Sequence, residues 1–120
     1  MNQIEIILGP TNTGKTFYAF EQMFSFKNGV FGFPLRLLAR ENYDKACKLY
    51  PINQIALITG EEKIIPSEAK YFFCTVESMP DDFFEFVCVD EIQLASDYER
   101  GHIFTQRLLY SRGEQKTIFL

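Results

Sequence analysis

Residues 9–16 read GPTNTGKT; they follow the apolar run QIEIIL at 3–8 and lead into KTFYAFEQMF at 15–24. The octapeptide fits G-x-x-x-x-G-K-[ST] without deviation. The spacing has a physical cause. A loop that wraps a phosphate must aim successive backbone N–H groups inward, and glycine permits the dihedral angles this needs. A helix starting at about Lys15 turns its positive end toward the anion. Lys15 then supplies a point charge for the β- and γ-phosphates, and the Thr16 hydroxyl an oxygen ligand for Mg²⁺. The expected nucleotide contacts are therefore Gly9, Pro10, Thr11, Asn12, Thr13, Gly14, Lys15 and Thr16. A chance match in a chain of this length is roughly one in a few hundred at average composition. The match also stands between a strand-like and a helix-like segment, the context the loop requires.

Outward from the loop, strand-like and helix-like segments alternate. Phe17, Phe20 and Phe24 recur at helical spacing, and Asn28-Gly29 reads as the turn that ends that helix. Residues 30–33 form a second short strand. Pro34 suits the start of a second helix, with Leu35, Leu38, Ala39, Asn42 and Ala46 on one face and an end before Pro51. Residues 54–59 read as a strand, 60–69 as a polar loop, and 70–75 and 84–89 as further strands. Residues 101–111 read as a short amphipathic helix, and 116–120 open a sixth strand. These strand runs lack polar alternation, as in a parallel sheet buried on both faces. The expected fold is α/β: a three-layer P-loop NTPase with a mostly parallel sheet and helices on both faces. In such sheets ligands bind at the carboxyl ends of the strands.

The second chemically loaded segment falls at such an end. FEFVCVDEIQ, residues 84–93, is an apolar strand that delivers Asp90 and Glu91 to its carboxyl edge. Asp90 would hold Mg²⁺ through water, Glu91 would polarise a water for attack on the γ-phosphate, and Gln93 would hydrogen-bond that water or the phosphate. A solvated acidic turn is the ordinary alternative; the phosphate loop upstream favours the functional one. Two acids in series favour hydrolysis over transfer to a substrate hydroxyl.

Composition sets the outer limits. The chain has 120 residues, room for one domain. It is 47% hydrophobic and 23% charged without a low-complexity run, as in soluble globular proteins. Its net charge of −4 argues against a protein that coats polyanions over its whole surface, but leaves room for a small basic patch. Cys47, Cys74 and Cys88 are odd in number and lack C-x-x-C spacing, which suits reduced, buried thiols rather than disulfides or zinc. There is no secretory signal and no apolar stretch long enough to span a membrane. The expectation is a cytoplasmic protein without a membrane partner.

Further motifs follow in order: PLRLLA at 34–39, TGEE at 59–62, CTVE at 74–77, DEIQ at 90–93 and D-x-x-R-G at 97–101. With residues 9–16 they resemble the first motor domain of the Suv-type superfamily-two ATP-dependent RNA helicases. The resemblance covers nearly the whole chain, and PLRLLA followed by TGEE and DEIQ is far more specific than the phosphate loop alone. It implies a RecA-like fold, ATP and Mg²⁺ as cofactors, and nucleic acid as partner, RNA more than DNA. It gives Lys15, Thr16, Asp90 and Glu91 the ATP, Mg²⁺ and water-activating roles, with Thr16 and Asp90 toward Mg²⁺; with Gln93 from the reading above, the expected catalytic residues are Lys15, Asp90, Glu91 and Gln93. It makes Arg36 a grip on the nucleic-acid backbone and places Thr75 and Glu77 at a second backbone contact. Arg at a helix start and Thr at a strand end can hold phosphate oxygens, though a solvated Arg and a turn or cap Thr are the ordinary readings. Asp97 and Arg100 form an i, i+3 pair that the resemblance makes a latch near the acidic motif.

The departures are specific. Residues 101–105 read GHIFT where the family carries an aromatic-rich stretch, and His102 there reads as a surface residue. Ser78 separates Glu77 from Met79 as an extra residue. The chain ends at Leu120, ahead of a further motif and of the second RecA-like domain that supplies arginine fingers; Arg107 and Arg112 are no evident substitutes. The expected organisation is one first RecA-like domain over 1–120, truncated near its C-terminus, with the second domain absent. The expected function is an ATP-binding and hydrolysing helicase motor domain. Two alternatives stay open: a thymidine-kinase-type nucleoside kinase, in which PLRLLA and TGEE have no place, and a degenerate nucleotide-binding module without activity.

Overall fold

The β-branched and aromatic runs become strands because flat, two-sided burial suits them. A computed structural model describes residues 3–6, 14–80, 82–90 and 115–120. Among these, seven strands form one sheet: β1 (Gln3–Ile6), β2 (Gly29–Phe33), β3 (Ile55–Ile58), β4 (Lys63–Ile64), β5 (Tyr71–Thr75), β6 (Phe86–Val89) and β7 (Lys116–Phe119). Their spatial order is β1-β7-β6-β2-β5-β3-β4. Every neighbouring pair is parallel except β3 with β4. Two helices, α1 (Lys15–Met23) and α2 (Arg36–Leu49), and two one-turn 3₁₀ helices at 52–54 and 76–78 complete the described elements.

Period-two alternation splits the core into two layers. On one face Phe31, Phe33, Ile55, Leu57, Phe73, Phe86, Cys88 and Ile118 pack under α1 (Ala19, Phe20, Met23) and α2 (Ala39, Tyr43, Ala46). On the other face Val30, Cys74, Val87 and Val89 are covered by Val76, Met79 and Phe84. Both described helices share a face for a topological reason. The chain crosses the sheet in one direction from β1 through β2 to β3, and parallel crossovers keep one hand. It returns from β5 to β6 over the second face, where Val76, Met79 and Phe84 lie. The α/β, mostly parallel architecture is the expected RecA-like one; the helix expected at 101–111 falls outside the described residues.

Three local expectations are corrected. First, α1 stops at Met23, well before Asn28-Gly29. The Ser25 hydroxyl donates to the Gln22 carbonyl at 2.6 Å, and the Tyr71 hydroxyl donates to the Phe26 carbonyl at 2.6 Å. Phe24 stacks on Tyr50 with ring centroids 3.7 Å apart. The local Ser25 hydroxyl and the tertiary partners Tyr71 and Tyr50 thus take the polar groups and ring that would have continued the helix, and Gly29 already belongs to β2. Second, Leu35 is not on the buried face of α2. It caps that helix in extended conformation and is 47% exposed, while Tyr43 joins Ala39, Asn42 and Ala46 inside. The buried Asn42 amide donates to the Leu38 carbonyl at 2.9 Å. Third, the 60–69 segment is not all loop, since Lys63–Ile64 pairs antiparallel with β3.

Gly29 is a close approach rather than a turn. A Cβ there would lie 2.6 Å from Met23 Cγ and 3.3 Å from Phe86 Cβ. Gly29→Ala is expected to destabilise the protein by about 1–3 kcal/mol, read as a fall in Tm. Because Met23 is the obstacle, Gly29→Ala with Met23→Ala should lose less than the sum of the single losses; strict additivity would show that the contact is not the cause.

Tyr43 gives a pH-dependent signature. Its phenol is pushed up to about 12, first by burial and then by its hydrogen bond with Cys47. Tyr71 is raised as well, by burial and the charge of Glu85. An acid whose folded value is raised contributes stability in full below its unfolded value, and loses it as pH rises through the folded one. Urea unfolding should therefore show stability falling between about pH 10 and about pH 12, and falling less in Tyr43→Phe. An equal loss in the variant would exclude Tyr43 as a source.

Candidate functional site

The parallel register levels the strand ends. Ile6 pairs with Phe119, Phe119 with Val89, Val89 with Gly32, Gly32 with Cys74 and Cys74 with Ile58. One residue further on stand Leu120, Asp90, Phe33, Thr75 and Thr59, along the carboxyl edge where ligands of such sheets bind. Asp90 is 4% exposed, and its backbone N–H donates to the Gly32 carbonyl at 2.9 Å, extending the ladder past β6. Only β7 lies between β1 and β6, so the exit of β1 and the position of Asp90 are two strand spacings apart, about 10 Å. The thiol of Cys88, two residues before Asp90, is pushed well up by burial, with the charges of Asp90 and Glu5 adding to it. It stays protonated.

Gly14 precedes α1 in the left-handed region, at φ 83° and ψ 0°. A Cβ there would meet nothing within 4 Å, so the backbone and not the space demands glycine. The Gly14 carbonyl accepts the Tyr18 N–H at 3.0 Å, closing the first turn of α1. No side chain caps this helix and no acid stands in its first turn. Among the described residues its positive end therefore has no compensating side chain, which suits an anion. Thr16 is half-buried and lines a cavity of ≈ 250 Å³ with Phe17, Phe20, Asn42, Lys45, Lys48 and Leu49.

Sequence reasoning passed over the polar clasp beneath α1. Glu5 pairs with Lys116 Nζ at 3.1 Å and accepts the Tyr18 hydroxyl at 3.3 Å. Lys116 Nζ also donates to Gln22 Oε1 at 2.9 Å. This network ties β1 and β7 to α1. The signal was a lone acid inside an apolar strand.

A second cleft, of ≈ 340 Å³, is lined by Pro34, Leu35, Arg36, Gly60, Glu61, Thr75 and Glu77. It brings Arg36 together with Thr75 and Glu77, which lie far from it in sequence. Arg36 forms an ion pair with Glu61. Thr75 is 4% exposed, and its hydroxyl donates to Ser78 Oγ at 3.0 Å. Ser78, the apparent extra residue, thus closes the 3₁₀ turn at 76–78. Thr59 organises the opposite wall. Its Oγ1 accepts the N–H groups of Glu61 and Glu62 at 3.2 and 2.9 Å, and its own N–H donates to the Glu62 carbonyl at 2.8 Å. Glu62 then meets Arg40 Nη1 at 2.7 Å. The Arg40 guanidinium is raised above its usual value, first by Asp44 and then by Glu62. Of the residues singled out from sequence, Gly9, Pro10, Thr11, Asn12, Thr13, Glu91, Gln93, Asp97, Arg100, His102, Arg107 and Arg112 lie outside the described ones.

Residues 2–118 match the family of the DEXQ-box helicase domain of Suv3. The chain is similar to the DExH-box ATP-dependent RNA helicase DExH18, mitochondrial, of Arabidopsis thaliana, at 41% identity over 110 residues, covering 89% of this chain and 14% of that protein. It is similar to the ATP-dependent RNA helicase SUPV3L1, mitochondrial, of Homo sapiens, at 39% over 107 residues, covering 84% and 13%. The ATP-dependent RNA helicase SUV3, mitochondrial, of Saccharomyces cerevisiae is 42% identical over 110 residues, covering 85% and 14%. The chain thus spans 13–14% of the length of these relatives. All three relatives are named mitochondrial, which overturns the expected cytoplasmic location. Cysteines without C-x-x-C spacing argue only against oxidising compartments, so composition had no means of separating the two.

The left-handed turn at Gly14 gives a graded prediction. Gly14→Ala is expected to destabilise by roughly 1–2 kcal/mol, and Gly14→Asn by less, because Asn enters the left-handed region more readily. Thermal unfolding of the two variants reads the order; an Ala variant as stable as the parent would show that the turn does not hold this conformation.

Proposed function

Because the chain belongs to the family of the DEXQ-box helicase domain of Suv3, we propose that it is the first RecA-like motor domain of an ATP-dependent RNA helicase, spanning residues 1–120. The observation that carries the reading is the shared carboxyl edge. The exit of β1, the strand that precedes α1, the buried Asp90 and the cleft with Arg36, Thr75 and Glu77 lie along it.

In this reading Gly9 to Thr16 wrap the phosphates of ATP, with Lys15 as the charge on the terminal ones and the end of α1 as a fixed dipole behind them. Thr16 and Asp90 offer a hydroxyl and a carboxylate, oxygen donors that suit a hard cation such as Mg²⁺. That ion, when bound, would draw charge from the phosphate that leaves. Glu91 takes a proton from the attacking water, and Gln93 orients it. Arg36 holds a backbone phosphate of the nucleic acid. Thr75, its hydroxyl committed to Ser78, shapes the wall rather than donating outward. Glu77 accepts hydrogen bonds from sugar hydroxyls or base amino groups, since a carboxylate repels phosphate. Charge developing on the phosphoryl group needs cations from a second RecA-like domain, so this domain alone binds nucleotide and turns over little.

A thermal-shift titration with ATP and Mg²⁺ tests the nucleotide half. The protein should be stabilised by about 2–4 kcal/mol at ligand well above its Kd, and Lys15→Ala should lose most of that shift. An unchanged shift in Lys15→Ala would remove the phosphate-loop assignment. Single-stranded RNA binding tests the other half: Arg36→Ala should weaken it about three- to tenfold, uniformly across sequences. Unwinding of a tailed duplex by this chain alone would contradict the half-motor reading.

A further inference from the structure

The cleft beside α2 carries more acid than a grip on phosphate requires. Arg36 is met by Glu61, and Arg40, one helical turn on, by Glu62 at 2.7 Å and Asp44 at 3.2 Å. The two consecutive glutamates are held in place. Thr59, 3% exposed, fixes their backbone through both N–H groups. The TGEE segment is therefore a rigid turn that sets two carboxylates against two arginines spaced i, i+4 on α2.

The two pairs differ in what they can do. Glu62 is bound to the turn through its backbone and to Arg40 through its side chain. Glu61 is bound to the turn through its N–H, and its carboxylate reaches across the cleft mouth to Arg36. The side chains of Arg36 and Glu61 are 56% and 67% exposed. An ion pair so open to water is weak and readily exchanged. A carboxylate and a phosphate present the same kind of paired oxygens to a guanidinium fork. Exchanging one for the other needs only rotation of the Glu61 side chain, because Thr59 keeps the backbone where it is.

We infer that Glu61 is a competing residue of the nucleic-acid cleft: it occupies the Arg36 guanidinium in the free protein and yields it to a backbone phosphate. The inference rests on the nucleic-acid reading of the cleft given above. A strand that lays several phosphates along the carboxyl edge displaces Glu61 at little loss. Glu61 thereby sets how much backbone contact a ligand must offer before Arg36 engages it.

Binding of a fluorescent single-stranded RNA at low salt tests this on six proteins: the parent, Glu61→Gln, Glu61→Asp, Arg36→Ala, the Glu61→Gln/Arg36→Ala double variant, and Glu41→Gln. Glu41 is an exposed acid on α2 that pairs with Lys45 at 3.6 Å, and it matches the charge change without touching the cleft. Glu61→Gln should tighten binding by about two- to fivefold, the strength of an exposed ion pair. The gain should be larger than that of Glu41→Gln and should vanish when Arg36 is alanine. Glu61→Asp, which keeps the charge but shortens its reach, should give a smaller gain. Weaker binding by Glu61→Gln together with a lowered Tm would mark a structural residue and overturn the inference. So would a gain that survives in Arg36→Ala or is equalled by Glu41→Gln. If the parent binds, Arg36→Ala weakens it and Glu61→Gln changes nothing, the inference alone falls. If neither the parent nor Glu61→Gln binds RNA, the nucleic-acid reading falls with it.

Discussion

β2 has a hydrogen-bonded neighbour on each edge and no face open to water. All five of its residues are buried; all five pair in register with β5 on one side, and Gly29 to Gly32 pair with β6 on the other. Phe31 and Phe33 stack on each other at 4.4 Å and on Phe73 at 6.1 and 6.2 Å. Each such buried ring contributes on the order of 1.5–3 kcal/mol. A slip of one residue would throw these rings to the opposite face and put Val30 and Gly32 under the helices. Register is therefore strongly specified here, and the candidate site depends on it. The Gly32 carbonyl holds the N–H of Asp90, and the Gly32–Cys74 pairing levels Thr75 with the start of the α2 approach. Gly32 also lets Met79 close the second face, since a Cβ would come within 2.6 Å of its sulfur.

The sequence made the strands legible because a two-sided buried strand must be apolar throughout, and residues 30–33, 54–59, 70–75 and 84–89 are nearly so. It made the order of site elements legible because the phosphate loop needs its glycines and lysine at fixed offsets. It could not show which strands neighbour which, because parallel pairing depends on crossovers and not on local pattern. Nor could it place Leu35 outside the helix face. Helical spacing treats an apolar residue alike whether it faces the core or caps the helix. The early end of α1 was hidden for a similar reason: Tyr71 and Tyr50, which draw Phe24 and Phe26 out of the helix, come from distant segments.

Function was legible to a different depth at each motif. PLRLLA and TGEE had no role in a nucleoside kinase, and the family match over residues 2–118 includes both. Their physical relation was invisible in one dimension. One segment opens α2 and the other follows β3, and only the folded chain sets Arg36 and Arg40 against Glu61 and Glu62. Ser78 shows the reverse case. It looked like an insertion in the CTVE region, and it is the partner of the Thr75 hydroxyl.

The net charge of −4 then takes on a sharper meaning. It argued against a surface that coats polyanions, and the ion pairs show how the cations beside the cleft are engaged. Arg36, Arg40, Lys45 and Lys116 each have an acid within reach. Along the cleft Arg36 and Arg40 are both engaged, so a phosphate contact there must displace an acid or use a backbone N–H. Displacement weakens non-specific attraction, which grows with the number of phosphates neutralised. It leaves geometry, the levelled strand ends and the fixed turn at Thr59, to decide where a strand can lie.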